Sequence, residues 1–251
     1  MSTQMMYGQL CTEFYDADKQ FASAYELELY RGIFSQNDHI LEPMCGSGRL
    51  LIPLLQLGYQ VDGLDCSNHM LASCQKRAEA LNLTPKLYQA SIESFLPQQL
   101  YQGIIIPLGS FQLIYPRENA CRALEKFNTI LAEGGKLVMD LFIPWEALYE
   151  GGENDYSNRE VTLETGDVIK ITSHTAVNKF EQHMVSKSHY AKYSQGNCSL
   201  EEDEQMDILW YYPYEIELIL NKYGFELIQC IPRVLNGSDH ITIVAQSTKK
   251  K

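Results

Sequence analysis

Between residues 39 and 142, five short strand-like segments alternate with helix-like ones, and that alternation leaves few folds open. Strand character falls on 39–42, 60–64, 86–89, 103–107 and 136–142. Helical character falls on 49–57, on 67–81 with Ser67 as N-cap, and on 117–130. Gly58 stops the first of these helices, and Gly134-Gly135 forms a turn. Pro53 is tolerable in that first helix only near its start. Parallel strands need crossover connections, usually helical. The spacing therefore predicts an α/β chain whose parallel sheet carries helices on both faces.

The flanks read differently. Phe14, Phe21, Tyr25, Leu29 and Ile33 recur at helical spacing, which predicts one helix over 13–31. After Trp145 the helices disappear. Residues 151–157 read as a polar loop, and 161–163, 168–177, 184–193 and 205–211 as strands. Their turns fall at 165–167, near 178–181, and in a longer loop holding Gly196 and the acidic run 201–204. This is an antiparallel insertion. Residues 213–223 return to helix, Gly224 ends it, and strands over 225–231 and 240–246 form an antiparallel pair. The chain divides into an N-terminal helical part (1–36), a core (37–144), a β-rich insertion (145–212) and the rest of the core (213–251).

Composition narrows the function classes. With 251 residues, 45% apolar, the chain suffices for one large domain with an insertion and is too apolar to be disordered. A formal charge of -12 opposes non-specific binding to nucleic acid, which needs cations against the phosphates. No apolar run reaches membrane-spanning length, and residues 1–7 lack the basic flank and apolar core of a secretory signal. Seven scattered cysteines without paired spacing indicate a reducing compartment, so a cytoplasmic location is expected. The six histidines show no ligand-type spacing, and no metal is expected.

The chemistry concentrates at 39–71. A strand ends in Glu42, a loop of Met44, Cys45, Gly46, Ser47 and Gly48 follows, and the next strand ends in Asp65. Glycines let a ligand approach the backbone, and an acid on the second strand can accept bonds from two ribose hydroxyls. This is the pattern of a nucleoside site. Leu51 stands where a dinucleotide fingerprint wants its third small residue, and no Gly-Lys-Ser/Thr follows to make a phosphate loop.

The stretch Ile40-Leu41-Glu42-Pro43-Met44-Cys45-Gly46-Ser47-Gly48-Arg49 resembles the first motif of class I S-adenosylmethionine-dependent methyltransferases, and Gly63 to Leu71 resembles their second. The resemblance implies a Rossmann-like sheet of seven strands, mostly parallel with the last antiparallel, plus an antiparallel β cap. It also implies a cofactor site for S-adenosyl-L-methionine. Glu42 would sit under the methionine portion and orient water or the amino group. Met44, Cys45, Gly46 and Gly48 would line its loop. Asp65 would hold the ribose, and Met70 or Cys66 would flank adenine. Ser91 stands where the family usually carries an Asp near the adenine amine; its hydroxyl or the backbone of Ala90 and Ile92 would accept that bond. Met44 replaces the first glycine of the usual motif.

By the same resemblance, the tip from Ile106 to Leu113 after the fourth strand, with Leu108, Gly109, Ser110 and Phe111 as its site residues, lies beside the methyl group and the substrate. The Asn/Asp-Pro-Pro-aromatic signature of nucleic-acid amino methyltransferases is absent there. Tyr15 and Tyr25 would belong to an N-terminal lid, and Tyr211 would line the acceptor entrance. His174, His189 and Tyr15 are the candidate catalytic groups. The expected activity is methyl transfer to N or O of a small-molecule acceptor by a monomer, or by a homodimer joined through the cap. Three rivals stay open: a protein or RNA methyltransferase, a nicotinamide-dependent reductase, and a non-catalytic adenosyl-cofactor-binding protein.

Overall fold

A computed structural model describes residues 7–19, 21–149, 153–235 and 238–249. The readings made for the first six residues, Gly151, Gly152, Gly237 and the last two lysines lie outside them.

The strands β1 (His39–Pro43), β2 (Gln60–Asp65), β3 (Lys86–Gln89), β4 (Tyr101–Ile106), β5 (Leu131–Leu141), β10 (Phe225–Leu235) and β11 (Ser238–Ser247) form one sheet. Its order is β10-β11-β5-β4-β1-β2-β3. β1 to β5 are mutually parallel, and β11, the last strand, runs antiparallel between β5 and β10. Alternate residues feed two apolar layers. Leu41, Ile104, Ile106, Leu137 and Met139 face α5 (Arg117–Ile130) and α7 (Pro213–Lys222). Ile40, Val61, Ile105, Val138 and Val244 face α2 (Ala24–Ile33), α3 (Leu51–Gln56) and α4 (Asn68–Glu79).

A second, antiparallel sheet has the order β6-β7-β8-β9, built from β6 (Glu153–Thr162), β7 (Val168–Asn178), β8 (His183–Ser194) and β9 (Asn197–Leu209). One face is covered by α1 (Gln9–Asp18), whose Leu10, Cys11 and Phe14 pack on Ile169, Ile171 and Tyr190.

Several local expectations are corrected. The helix expected over 13–31 is two helices. Ser23 and Glu26 form a capping box that starts α2 afresh, so α1 and α2 serve different sheets. Residues 153–157 are strand, not loop. The acidic run 201–204 is strand too, because Gln195 and Gly196 both take positive φ (49° and 82°) and close β8 to β9 as a two-residue hairpin. β5 starts at Leu131. Its pairing to β4 then jumps past the glycine turn, where Gly134 has φ 67°. A short helix, α6 (Trp145–Tyr149), precedes the second sheet.

Candidate active site

The parallel strands end together at one edge of the large sheet, and a cleft opens there over β1, β2 and β4. It encloses about 610 Å³ of empty space, open on one side. Its floor is Glu42, Met44, Cys45, Gly46, Asp65, Cys66 and Met70, and its far wall is Pro107, Leu108, Ser110 and Leu113. Tyr7 and Tyr15, before and on α1, close it from above.

Asp65 organises the loop. Its carboxylate accepts from the Gly46 N–H at 2.8 Å and from the Ser67 N–H at 2.9 Å. Ser67 caps α4 by accepting from Met70 N–H at 3.2 Å, and its hydroxyl donates to the Tyr7 carbonyl at 2.6 Å. Gly46 has φ 53°, and a Cβ there would meet only the Met70 sulfur at 3.7 Å. Its missing side chain therefore leaves space on the cleft side. Met44 and Leu108 also take positive φ, 59° and 52°, and Leu108 N–H donates to Asp140 at 3.0 Å.

Glu42 is buried at 2% exposure, and its Oε2 has no hydrogen-bond partner. Burial pushes its carboxyl up to about 8, against the pull of Arg49. Burial also raises Asp65, against the amides it accepts from. Arg49 lines the cleft and makes a buried two-pronged ion pair with Glu26 of α2, at 2.6 and 2.9 Å. Burial disfavours ionised Glu26, but the Arg49 bonds outweigh it and hold that carboxyl below its usual range. An orphaned buried carboxylate oxygen beside a glycine-lined cradle is what an ammonium-bearing nucleoside would complete.

Residues 40–135 match the family model described as a methyltransferase domain. A protein of Geobacillus sp. (strain WCH70) named as a methyltransferase is 28% identical over 102 residues, 41% of either chain. The match thus spans about two fifths of that relative's length.

Residues 40–135 are thus similar to a methyltransferase domain.

Solved structures extend the likeness to nearly the whole chain. An S-adenosylmethionine-dependent methyltransferase from Clostridium acetobutylicum ATCC 824 superposes with TM-score 0.73 at 16% identity, covering 90% of this chain and 89% of that one. The sugar N-methyltransferase KedS8 from Streptoalloteichus sp ATCC 53650 gives 0.71 at 18%, covering 99% and 98%. The glycopeptide N-methyltransferase MtfA, complexed with S-adenosylhomocysteine, gives 0.61 at 20%, covering 93% and 90%. The chain has the class I S-adenosylmethionine-dependent methyltransferase fold.

Within this methyltransferase fold the candidates from sequence divide. Glu42, Met44, Cys45, Gly46, Asp65, Cys66, Met70, Leu108, Ser110 and Tyr15 line the cleft. Gly48 does not. A Cβ there would lie 2.6 Å from the Cys74 sulfur and 2.9 Å from Ile52, so it is a packing glycine between α3 and α4. Ser91 is exposed and bonded to Ser94, and Ile92 is buried in the core. Gly109, at φ 75°, makes room for the Phe142 ring, and Phe111 is fully buried against Tyr211 at 5.7 Å. Tyr25 and Tyr211 line other cavities. His174 and His189 sit on the second sheet and line no described cavity. His174 packs beside Tyr156 at 4.7 Å, and His189 bonds Asp203 at 2.8 Å.

Tyr7 and Arg49 are cleft residues to which the sequence reading gave no role, whereas Pro107 and Leu113 belong to the 106–113 tip that the resemblance put beside the methyl group. Arg49 had a signal: a lone cation opening an apolar helix that packs against a sheet. Tyr7 had none, since it is placed through Glu204, which accepts from its N–H across the second sheet. Among the described residues no helix is long and apolar enough to cross a membrane, and every cysteine is a free thiol.

Proposed function

We propose that the cleft binds S-adenosyl-L-methionine and that the chain transfers its methyl group to a nitrogen or oxygen of a small-molecule acceptor. The unpartnered Oε2 of buried Glu42, facing a cradle opened by Gly46, carries this reading. Asp65 has lone pairs left after its two amide bonds and would accept from the ribose hydroxyls. Met70 and Cys66 flank the adenine end. Glu42 would accept from the ammonium, and Leu108 and Ser110 lie toward the acceptor. The neighbours named for sugar and glycopeptide N-methylation favour a nitrogen acceptor.

The bound sulfonium would supply an activated methyl group for direct displacement. The chain must hold the acceptor in line behind that carbon, at roughly 3–3.5 Å, and exclude water. Tyr15 is the one catalytic candidate at the cleft. Burial raises its phenol, so it stays protonated near neutral pH and positions the acceptor as a donor rather than acting as a base.

Calorimetric titration with S-adenosylmethionine, S-adenosylhomocysteine and NADH tests the cofactor. Binding of the two adenosyl-sulfur ligands without NADH is expected. Selective NADH binding would overturn the reading. Turnover in an amine and alcohol screen then separates an enzyme from a protein that only binds the cofactor.

A further inference from the structure

A second, larger cleft lies at the same sheet edge, over the ends of β5, β10 and β11, with about 1530 Å³ of open space. Tyr25, Phe142, Trp145 and Tyr212 give it aromatic walls. Phe142 also packs where a Cβ of Gly109 would stand, 2.7 Å away. One turn, Leu108-Gly109-Ser110, thus separates this cleft from the first.

Arg233 and His240 are cross-strand partners on β10 and β11, and both line this cleft. Arg233 is only 6% exposed, yet neither terminal nitrogen of its guanidinium has a hydrogen-bond partner. The Tyr25 ring lies 5.3 Å from its guanidinium carbon. Its other charged neighbours are committed elsewhere. Glu26 holds Arg49, and Asp140 accepts from Leu108 N–H and the Thr242 hydroxyl at 3.0 and 2.6 Å. Asp239 is exposed at the rim, where water screens it. A buried guanidinium whose two terminal nitrogens lack hydrogen bonds is costly. A planar fork with unused donors fits a carboxylate or phosphate in two-pronged fashion.

Resting on the methyl-transfer reading above, we propose that the methyl acceptor reaches past this turn, its attacked atom in the first cleft and its far end in the second, and that Arg233 binds an anionic group, a carboxylate or phosphate, on that far end. The aromatic walls stack the acceptor's ring, and the anion anchors the end remote from the attacked atom. Specificity then lies in Arg233, since a neutral analogue leaves its donors unpaired.

The test uses benzoate and phenyl phosphate as anionic probes and benzyl alcohol as the neutral one. Each is titrated into the full chain with and without S-adenosylhomocysteine. At least one anion should bind tenfold or more tightly than benzyl alcohol, shift the Arg233 side-chain Nε–H resonance, and bind alongside S-adenosylhomocysteine. Which anion wins separates the carboxylate from the phosphate. Arg233→Gln should erase the preference while S-adenosylhomocysteine binding persists. Equal binding of anionic and neutral probes, an unmoved Arg233 resonance, or competition between the anion and S-adenosylhomocysteine would each overturn the proposal. If Arg233→Gln fails to fold, the wild-type probe comparison and the resonance still decide. Failure of S-adenosylhomocysteine to bind, with the anion preference intact, would strike the cofactor reading instead.

Discussion

Glu42 and Asp65 are two buried carboxylates with opposite circumstances. Asp65 is engaged by two amides, whereas Glu42 keeps an empty oxygen and a carboxyl raised to about 8. Below that value the free protein holds a proton on Glu42. An ammonium ligand favours the ionised form, so S-adenosylhomocysteine binding at pH 7 should release a proton. Calorimetry in buffers of different ionisation enthalpy measures this, and Glu42→Gln should abolish the release. Stability follows the same linkage. Between the ordinary value of 4.5 and about 8, folded Glu42 keeps a proton that the unfolded chain has lost. Stability therefore falls as pH rises through that window, by at most ~1.4 kcal/mol per pH unit. Glu42→Gln should flatten that decline in urea titrations and be the more stable form at pH 8. Asp65→Ala should weaken S-adenosylhomocysteine by roughly 1–3 kcal/mol through lost hydrogen bonds, and should also lower the melting temperature. The second effect follows because Asp65 holds Gly46 and the start of α4. Both acids were legible in sequence, because Glu42 ends a strand before a glycine loop and Asp65 ends the next strand. The opposition to Leu51 was legible only in part. Gly63 on β2 has no side chain where Leu51 sits, a Cβ there lying 2.7 Å from it, so the strand supplies the space that a third fingerprint glycine would have given.

At the scale of elements, α1 depends on a strand nearly two hundred residues away. Its N-cap, Gly8, offers no side chain, and the Leu10 and Cys11 amides of its first turn donate instead to Glu202 of β9, at 3.0 and 3.1 Å. A carboxylate at a helix N-terminus satisfies orphan donors and meets the positive end of the dipole. Glu202→Ala should cost α1 roughly 0.5–2 kcal/mol, the range of a lost cap. The same variant should loosen Tyr7 and Tyr15 over the cleft. Faster amide exchange in 9–18 together with weaker S-adenosylhomocysteine binding is the expected pair of results. Exchange unchanged in α1 would show that its apolar packing alone holds it. The sequence reading placed Glu202 in a loop because acidic residues are depleted from strands. Along β9 their alternation has a purpose. Glu202 and Glu204 turn toward α1 and Tyr7, while Glu201 and Asp203 face His189. No local pattern can announce that use, since the partner helix lies at the other end of the chain. By contrast, β3 and α5 fell where periodicity put them, because their signals are local.

Across the whole molecule, one sheet edge carries both clefts, and the second sheet reaches that edge through α1. The core topology was readable because helix and strand spacing fixes parallel crossovers, and because the short link from β10 to β11 forces an antiparallel return. The coupling between sheets was not readable, since it rests on single contacts such as Glu202 to α1 and Lys192 to Glu13 at 2.8 Å. Those contacts make the cofactor cleft a joint product of core and cap: Glu42, Gly46 and Asp65 come from the core, and Tyr7 and Tyr15 come from the α1 segment, which Glu202 and Glu204 of the cap and Ser67 and Arg77 of the core hold together. Ligand binding should therefore protect both. In hydrogen exchange with S-adenosylhomocysteine, slowing is expected in the 42–48 loop, in α1 and in the 200–206 part of β9. The remote turn at Gly166 serves as the control. Protection confined to 42–70 would mean that α1 rests on the cap without responding to the cleft. Protection spreading through α1 into β9 would make the cap part of the closing movement, and Glu202→Ala should then cut the spread at α1.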